Sequence, residues 1–454
     1  MLLHEPNPHK HNYGFVSQGS SEGQAFLPSV TQALEVCTLK DSTHDPHYLT
    51  TDFEHSFQLI LPLLKMPLKF GNLSISTGPL ISSASSIYST ASDTSDDTAF
   101  TDFSSRDVSR VSTSDSSGAN VKQRTALRIM LGTASIGSAK VPMAKITTVE
   151  DTSEFLETFK SRGYVDIDTA RAYPVGRGGS CEKLLGSRQL DIGKWANVST
   201  KVQSFMPGSH RPKNIDASIN KSLEALNLEY VDIMYLHAPD RATPFKDTLA
   251  AMNKAHQAGK YERLGLSNFS AAEVIEVVDI CHENKFVMPT VYQGQYNAIC
   301  RNGEEELLPI LRKHDIAFHA YSPSACGFFS GKVTRATSGV SGSRWDSKSP
   351  LGAKYSNDYF HDPMFTAGEM VRQHARQFGI NGHAIGLRWV IWHSQLDASC
   401  GDGVLIGASS VKQLRENLDI LEQGPLPEKL VEVIGKAWNM VKNVDNGPKY
   451  NMSA

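Results

Sequence analysis

The pattern of apolar and polar positions changes texture near residue 126. Before it, apolar clusters occur without a sustained period, and from Ser82 to Gly118 the chain is mostly Ser, Thr and Asp. Such a stretch cannot bury enough apolar surface to offset the entropy of ordering it. Residues 1–123 are therefore expected to be a disordered extension, with a phosphorylatable regulatory tail as the functional alternative. The one oily run there, from Phe57 to Leu68, is too short and too Pro-interrupted to span a bilayer. The start, Met1-Leu-Leu-His-Glu-Pro6, shows no apolar h-region behind a basic segment and does not read as a secretory signal.

From Ala126 onward, short apolar runs alternate with helical stripes. The runs at 127–131, 164–168, 196–201, 231–237, 262–267, 290–293, 316–321 and 404–407 read as strands. Between them fall helical patterns. The first, over 149–162, carries Phe155, Leu156 and Phe159 on one face, and another is centred on 182–185. A further stripe joins Ile215, Ile219, Leu223 and Leu226. Thr243-Pro244 reads as a cap with proline in the first turn of the next helix. A helix from about Ala271 carries Val274, Ile275, Val278 and Ile280, and after a long loop come helices over 386–392, from Val411 and from Glu428. Eight βα units in a row predict a closed (β/α)8 barrel over residues 124–454 rather than an open doubly wound sheet.

Composition narrows the function classes. A formal net charge of -3 argues against a nucleic-acid or polyanion binder. Six scattered cysteines without a C-x-x-C pair read as free thiols of a reducing compartment, so the chain is expected to be soluble and cytoplasmic. Sixteen histidines form no zinc-type spacing, and no metal is expected.

In a barrel of this kind the chemistry sits at the C-terminal ends of the strands. Those ends carry Asp168 with Tyr173, then Lys201, His237, Ser267-Asn268, Gln293, Tyr321 and Gly407. A phenol is a weak acid, with an ordinary pKa of about 10, and donates usefully only where a cation stabilises the phenolate. Lys201 is such a cation, Asp168 can hold it in place, and His237 can hydrogen-bond an incoming carbonyl oxygen. A carbonyl polarised in this way needs a hydride at carbon, which no side chain supplies and a nicotinamide does. Asn268 and Gln293 suit its carboxamide, and Tyr321 offers a flat surface for its ring. Singly, each residue has a plain structural reading: a helix cap, a solvated charge, a satisfied core histidine. Their joint occurrence on consecutive strands favours function. Gly176-Arg-Gly-Gly179 lacks the third glycine of a dinucleotide fingerprint and reads as a rim loop.

The region 124–454 resembles an aldo-keto reductase. The likeness rests on Asp168-Thr-Ala-Arg-Ala-Tyr173, Ser199-Thr-Lys201, Tyr235-Leu-His-Ala-Pro-Asp240, Leu264-Gly-Leu-Ser-Asn-Phe269 and Leu405-Ile-Gly-Ala-Ser-Ser410 with Glu416-Asn417. Val291-Tyr-Gln-Gly-Gln-Tyr-Asn297, His393-Ser-Gln-Leu396 and Glu422-Gln-Gly-Pro-Leu426 resemble the aflatoxin-aldehyde (succinic-semialdehyde) reductase subfamily. The resemblance implies a catalytic tetrad of Asp168, Tyr173, Lys201 and His237, with Tyr173 as general acid. It also implies NADPH-dependent, metal-free reduction of aldehydes or ketones. Ser267, Asn268 and Gln293 would hold the carboxamide, with Tyr321 stacking. Ser322 and Gly327 would line the pyrophosphate. Gly407, Ser409, Ser410, Gln413 and Asn417 would surround the adenosine end, where Lys412 and Arg415 are nearby cations for NADPH. Arg344 would grip a substrate carboxylate, and Arg171 would either attract an acidic substrate or turn into solvent. The expected partner is a small-molecule carbonyl substrate, with no nucleic acid or membrane, for a monomer or homodimer. Two rivals carry the same motifs: an NADP-linked alcohol dehydrogenase of secondary metabolism, and a redox-sensing subunit resembling potassium-channel β subunits.

Overall fold

A computed structural model describes residues 125–335 and 345–452. Eight parallel strands close into a barrel in chain order. They are β1 (Arg128–Gly132), β2 (Asp166–Asp168), β3 (Asn197–Val202), β4 (Val231–Leu236), β5 (Tyr261–Ser267), β6 (Pro289–Gln295), β7 (Ala317–Tyr321) and β8 (Gly403–Gly407). The last strand pairs with the first, Ile129 opposite Val404 and Leu131 opposite Ile406. The sequence-based barrel is the fold found. Residues 1–123, expected to be a disordered extension, and Arg344 lie outside the described residues.

Alternation along each strand divides the core in two. Ile129, Leu131, Ile167, Val198, Met234, Leu236, Leu264, Leu266, Phe318, Val404 and Ile406 face outward into one continuous apolar layer beneath the helices. Ile233, Tyr235 and Val291 form a separate cluster inside the barrel. Tyr235 leaves no room for its neighbour on β5, because a Cβ on Gly265 would lie 2.2 Å from its ring. At the N-terminal end of the barrel, Arg128 reaches Asp166 at 2.5 Å and Asp232 at 3.0 Å, and Arg263 reaches Asp232 at 2.8 Å. That ladder joins four strands where the barrel meets water.

The helices follow from their caps and stripes. α1 (Val149–Lys160) starts where the Thr148 side chain accepts from the Asp151 amide, and it buries Thr152, Phe155, Leu156 and Phe159. Burying each phenylalanine contributes roughly 1.5–3 kcal/mol. After α2 (Ser180–Leu185) comes α3 (Pro212–Leu226), which buries Ile215, Ile219, Leu223 and Leu226 as the stripe predicts. α4 (Phe245–Gln257) is entered differently from the sequence expectation. Pro244 is its cap residue rather than part of the first turn, and the Thr243 hydroxyl donates to Asp240 instead of capping. α5 (Ala271–Asn284) opens with a capping box between Ser270 and Glu273. Its buried stripe is Val274, Val277, Val278 and Cys281, while Ile275 is 41% exposed on the outer side.

Short helices α6 (Gly303–Glu306) and α7 (Leu308–Lys313) join β6 to β7. The long connection after β7 is richer than the expected loop. It contains α8 (Pro350–Tyr359) and α9 (Asp362–Gln377) ahead of α10 (Gly382–Trp392). Tyr359 and Phe365 pack on Phe328, with ring centroids 5.6 and 5.7 Å away, and so pin the segment that follows β7. α11 (Val411–Leu421) and α12 (Glu428–Val441) close the fold. Among the described residues, no helix is long and apolar enough to cross a membrane.

Candidate active site

Strand ends assemble the site. β2 ends at Asp168, whose carbonyl accepts from the Thr133 amide at 3.0 Å and hydroxyl at 2.9 Å, fixing the exit of the strand. Lys201 on β3 is fully buried and donates to Asp168 Oδ2 at 2.6 Å and to the Thr169 carbonyl at 2.9 Å. Burial alone would pull its ammonium down; Asp168 and Tyr173 more than offset this and hold it above its ordinary value. Lys201 Nζ lies 5.2 Å from the centre of the Tyr173 ring and 5.6 Å from that of Tyr235. His237 follows β4, its ring edge-on to Tyr173 with centroids 5.7 Å apart. Burial first, then Lys201, pushes its imidazole well below the ordinary range, so it is neutral at neutral pH. Its Nδ1 is buried without a partner. Asp168, Tyr173, Lys201 and His237 therefore converge as the strand ends imply.

The loop after β3 was not singled out in the sequence. Ser204 Oγ accepts from the His237 amide at 3.2 Å and meets His210 Nε2 at 2.7 Å. Asp240 accepts the amides of Gly208 and His210. These bonds fix the loop that brings Phe205 to 4.7 Å from His237, with Phe205 and Met206 45% and 52% exposed. Two exposed apolar side chains on a pinned loop would have been the signal to look for.

On the opposite wall, Ser267, Asn268, Gln293 and Tyr321 also converge, with some of their polar atoms already engaged. Asn268 Nδ2 donates to the His237 carbonyl at 2.8 Å and to Ser267 Oγ at 3.0 Å, and its Oδ1 accepts from the Tyr321 hydroxyl at 2.9 Å. Gln293 Nε2 donates to Asp168 Oδ1 at 2.9 Å. Beneath them the Tyr235 hydroxyl meets His319 Nδ1 at 2.9 Å. The remaining capacity suits a primary carboxamide: Ser267 keeps a hydroxyl proton to donate, and Asn268 Oδ1 and Gln293 Oε1 can accept. Ser322, Ala325, Cys326 and Gly327 all have left-handed backbone, an unusual run in the segment pinned by Phe328. Strain of this kind, about 1–3 kcal/mol per non-glycine residue, gathers at functional loops.

Beyond β8, Gly407, Ser409 and Ser410 are exposed at the start of α11. Gln413 Oε1 accepts both the Ser409 amide at 2.8 Å and the Ser409 hydroxyl at 2.9 Å. Asn417 is buried, donating to the Gly407 carbonyl and meeting His383 Nε2. Its amide supports the strand end. Arg415 pairs with Glu154 at 3.1 Å on the surface. Arg171 turns to Glu182 at 2.7 Å, away from both of the fates its sequence suggests. Two motifs behind the resemblance meet each other: the Leu426 amide donates to His393 Nε2 at 2.8 Å, and Arg388, on the helix just before His393, donates to the Gly424 and Pro425 carbonyls.

Three buried neutral histidines carry a pH signature. Burial lowers His210 to about 4, opposed by Asp240, and lowers His319 to about 3, aided by Arg128 and Arg263. His237 moves the same way. The unfolded chain binds these protons first, below pH about 6.5. Stability is therefore fully present above that pH and is lost as pH falls toward the folded values. Each group contributes about 1.4 kcal/mol per pH unit in that window. The urea midpoint is expected to drop between pH about 7.5 and about 5, and a flat profile would count against neutral burial.

Fold and site together define a (β/α)8-barrel protein with an acid–base cluster at the C-terminal mouth of the barrel. The aldo/keto reductase family model matches residues 128–439. An aldo-keto reductase of Pseudocercospora fijiensis is 38% identical over 304 residues, 65% of this chain and 99% of its own length. The oxidoreductase sirO of Leptosphaeria maculans is 36% identical over 328 residues, 71% and 97% of the two chains. Aflatoxin B1 aldehyde reductase member 2 of Mus musculus is 36% identical over 340 residues, 72% and 87%. The chain belongs to the aldo/keto reductase family, a family of oxidoreductases.

Proposed function

We propose that the barrel of residues 124–454 reduces aldehydes, or ketones, to alcohols with NADPH, and that Tyr173 is the general acid. The observation that carries this is the fully buried Lys201, held by Asp168 at 2.6 Å with its ammonium 5.2 Å from the Tyr173 ring. In that setting Tyr173 delivers its proton to the carbonyl oxygen, and Lys201 stabilises the phenolate left behind. His237, neutral and edge-on to Tyr173, orients the carbonyl by donating a ring N–H. NADPH, when bound, would supply the hydride for the carbonyl carbon. Ser267, Asn268 and Gln293 hold the carboxamide with the capacity described above, and Tyr321 backs the ring. Lys412 and Arg415, on the first turns of α11, would favour NADPH over NADH, Arg415 exchanging Glu154 for the cofactor's phosphate. The aldehyde class is supported by relatives whose names specify an aldehyde. Arg344 is proposed to grip carboxylated substrates.

The test is NADPH oxidation by the full-length chain with 4-nitrobenzaldehyde and succinic semialdehyde, repeated with NADH. Turnover of either aldehyde with NADPH, slower with NADH, is expected. Absence of turnover with both aldehydes, despite measurable NADPH binding, rejects the reductase reading.

A further inference from the structure

Glu182 on α2 is a fully buried carboxylate that the chemistry above leaves unused. Its Oε2 accepts from Arg171 at 2.7 Å and its Oε1 from the Thr200 hydroxyl at 2.7 Å. Those partners flank the reacting groups: Arg171 lies between Asp168 and Tyr173, and Thr200 immediately precedes Lys201. The neighbour of Glu182, Cys181, donates its amide to the Tyr173 carbonyl at 3.3 Å. The Arg171 amide donates to the Lys201 carbonyl at 3.0 Å. Arg171 Nη1 also donates to the Lys221 carbonyl of α3 at 3.0 Å. Its guanidinium lies so close over Gly179 that a Cβ there would fall 1.4 Å from Nη2. The segment bearing the phenol, the strand bearing the ammonium and two helices thus meet at one carboxylate.

We infer that Glu182 and Arg171 are positioning residues: a clamp that sets the separation of the Tyr173 phenol and the Lys201 ammonium. The inference rests on Tyr173 being the proton donor. It gives Arg171 a task other than meeting substrate. A buried ion pair is weak support for stability in itself, since desolvation offsets much of its attraction. Fixing the register of two catalytic groups is a use that stability alone does not provide.

The experiment compares full-length wild type, Glu182→Gln, Thr200→Val and Tyr173→Phe. Kinetics are measured across pH with 4-nitrobenzaldehyde, and NADPH affinity by fluorescence. In Glu182→Gln the amide can turn its oxygen to Arg171 and its NH2 to the Thr200 hydroxyl, so the pair loses its charge and the clamp loosens on the Arg171 side. A fall in kcat of about 10- to 100-fold is expected, the scale of a roughly ångström displacement of a catalytic group. KM and NADPH Kd should stay within about three-fold. The alkaline limb of kcat should move upward, because a phenol farther from its ammonium ionises less readily. A folded Glu182→Gln with native kcat and an unmoved limb overturns the inference, as does an equal loss in kcat, KM and Kd. If that variant does not fold, Thr200→Val decides: a lower kcat at constant KM supports the clamp and an unchanged kcat overturns it. Retained activity in Tyr173→Phe would instead overturn the proton-donor reading.

Discussion

Tyr173→Phe is expected to lower kcat for aldehyde reduction by about 10²- to 10⁴-fold, the usual contribution of a positioned general acid. At about 1.36 kcal/mol per decade, that corresponds to about 2.7–5.4 kcal/mol of lost transition-state stabilisation. The substitution removes the hydroxyl and leaves the rest of the geometry a way to persist. The ring keeps its edge contact with His237 at 5.7 Å and its place 5.2 Å from Lys201 Nζ. The backbone is held independently of the hydroxyl, by Tyr173 N–H to the Ala170 carbonyl at 3.0 Å and by the Cys181 amide to the Tyr173 carbonyl. NADPH Kd and thermal midpoint should therefore stay near wild type. Stopped-flow single turnover separates chemistry from product release and is the measurement to make. A rate within about three-fold of wild type would place the proton donor elsewhere, with His237 the next group to test.

The strand ends were legible because they break a strong rule. A run such as Ile233 to Leu236 is apolar, so a polar residue at its C-terminal edge stands out, and the barrel turns eight such edges into one rim. Asp168, Lys201 and His237 could be found this way, and Tyr173 by its distance from Asp168. What the spacing did not reveal is who bonds to whom across the chain. The Gln293 amide, expected to face a ligand, also supports Asp168 from 125 residues away. Asn268 spends its amide protons on His237 and Ser267. Arg171, one turn from the phenol, pairs with a glutamate that reads from sequence as an ordinary helix residue. The helices α8 and α9 were missed for a different reason. The buried face of α9 relies partly on Ala367, Gly368 and Ala375, small residues whose apolar period is faint even where their packing is complete. Ile275 shows the converse, a large apolar residue in the right place along the chain but on the outer side of the helix.

Lys201→Met is expected to be costly twice. The side chain is fully buried against an Asp168 carboxylate that is itself only 2% exposed. Methionine fills similar space but leaves that carboxylate without its ammonium, with the neutral Gln293 Nε2 still donating at 2.9 Å. Removing one partner of a buried pair costs about 3–5 kcal/mol, because the other charge stays desolvated and uncompensated. Against a typical stability of about 5–15 kcal/mol, that is a large share. The double variant Lys201→Met with Asp168→Asn removes both charges, so it should recover much of the loss in a urea titration. It should recover none of the activity, since the proposed support for the Tyr173 phenolate is gone in both. Stability and catalysis thus separate in a single pair of variants. The midpoint should fall in the order wild type, double variant, Lys201→Met, while kcat is depressed alike in the two variants. A Lys201→Met protein as stable as wild type would mean that the carboxylate finds another partner, and the electrostatic account of the site would have to be rebuilt around it.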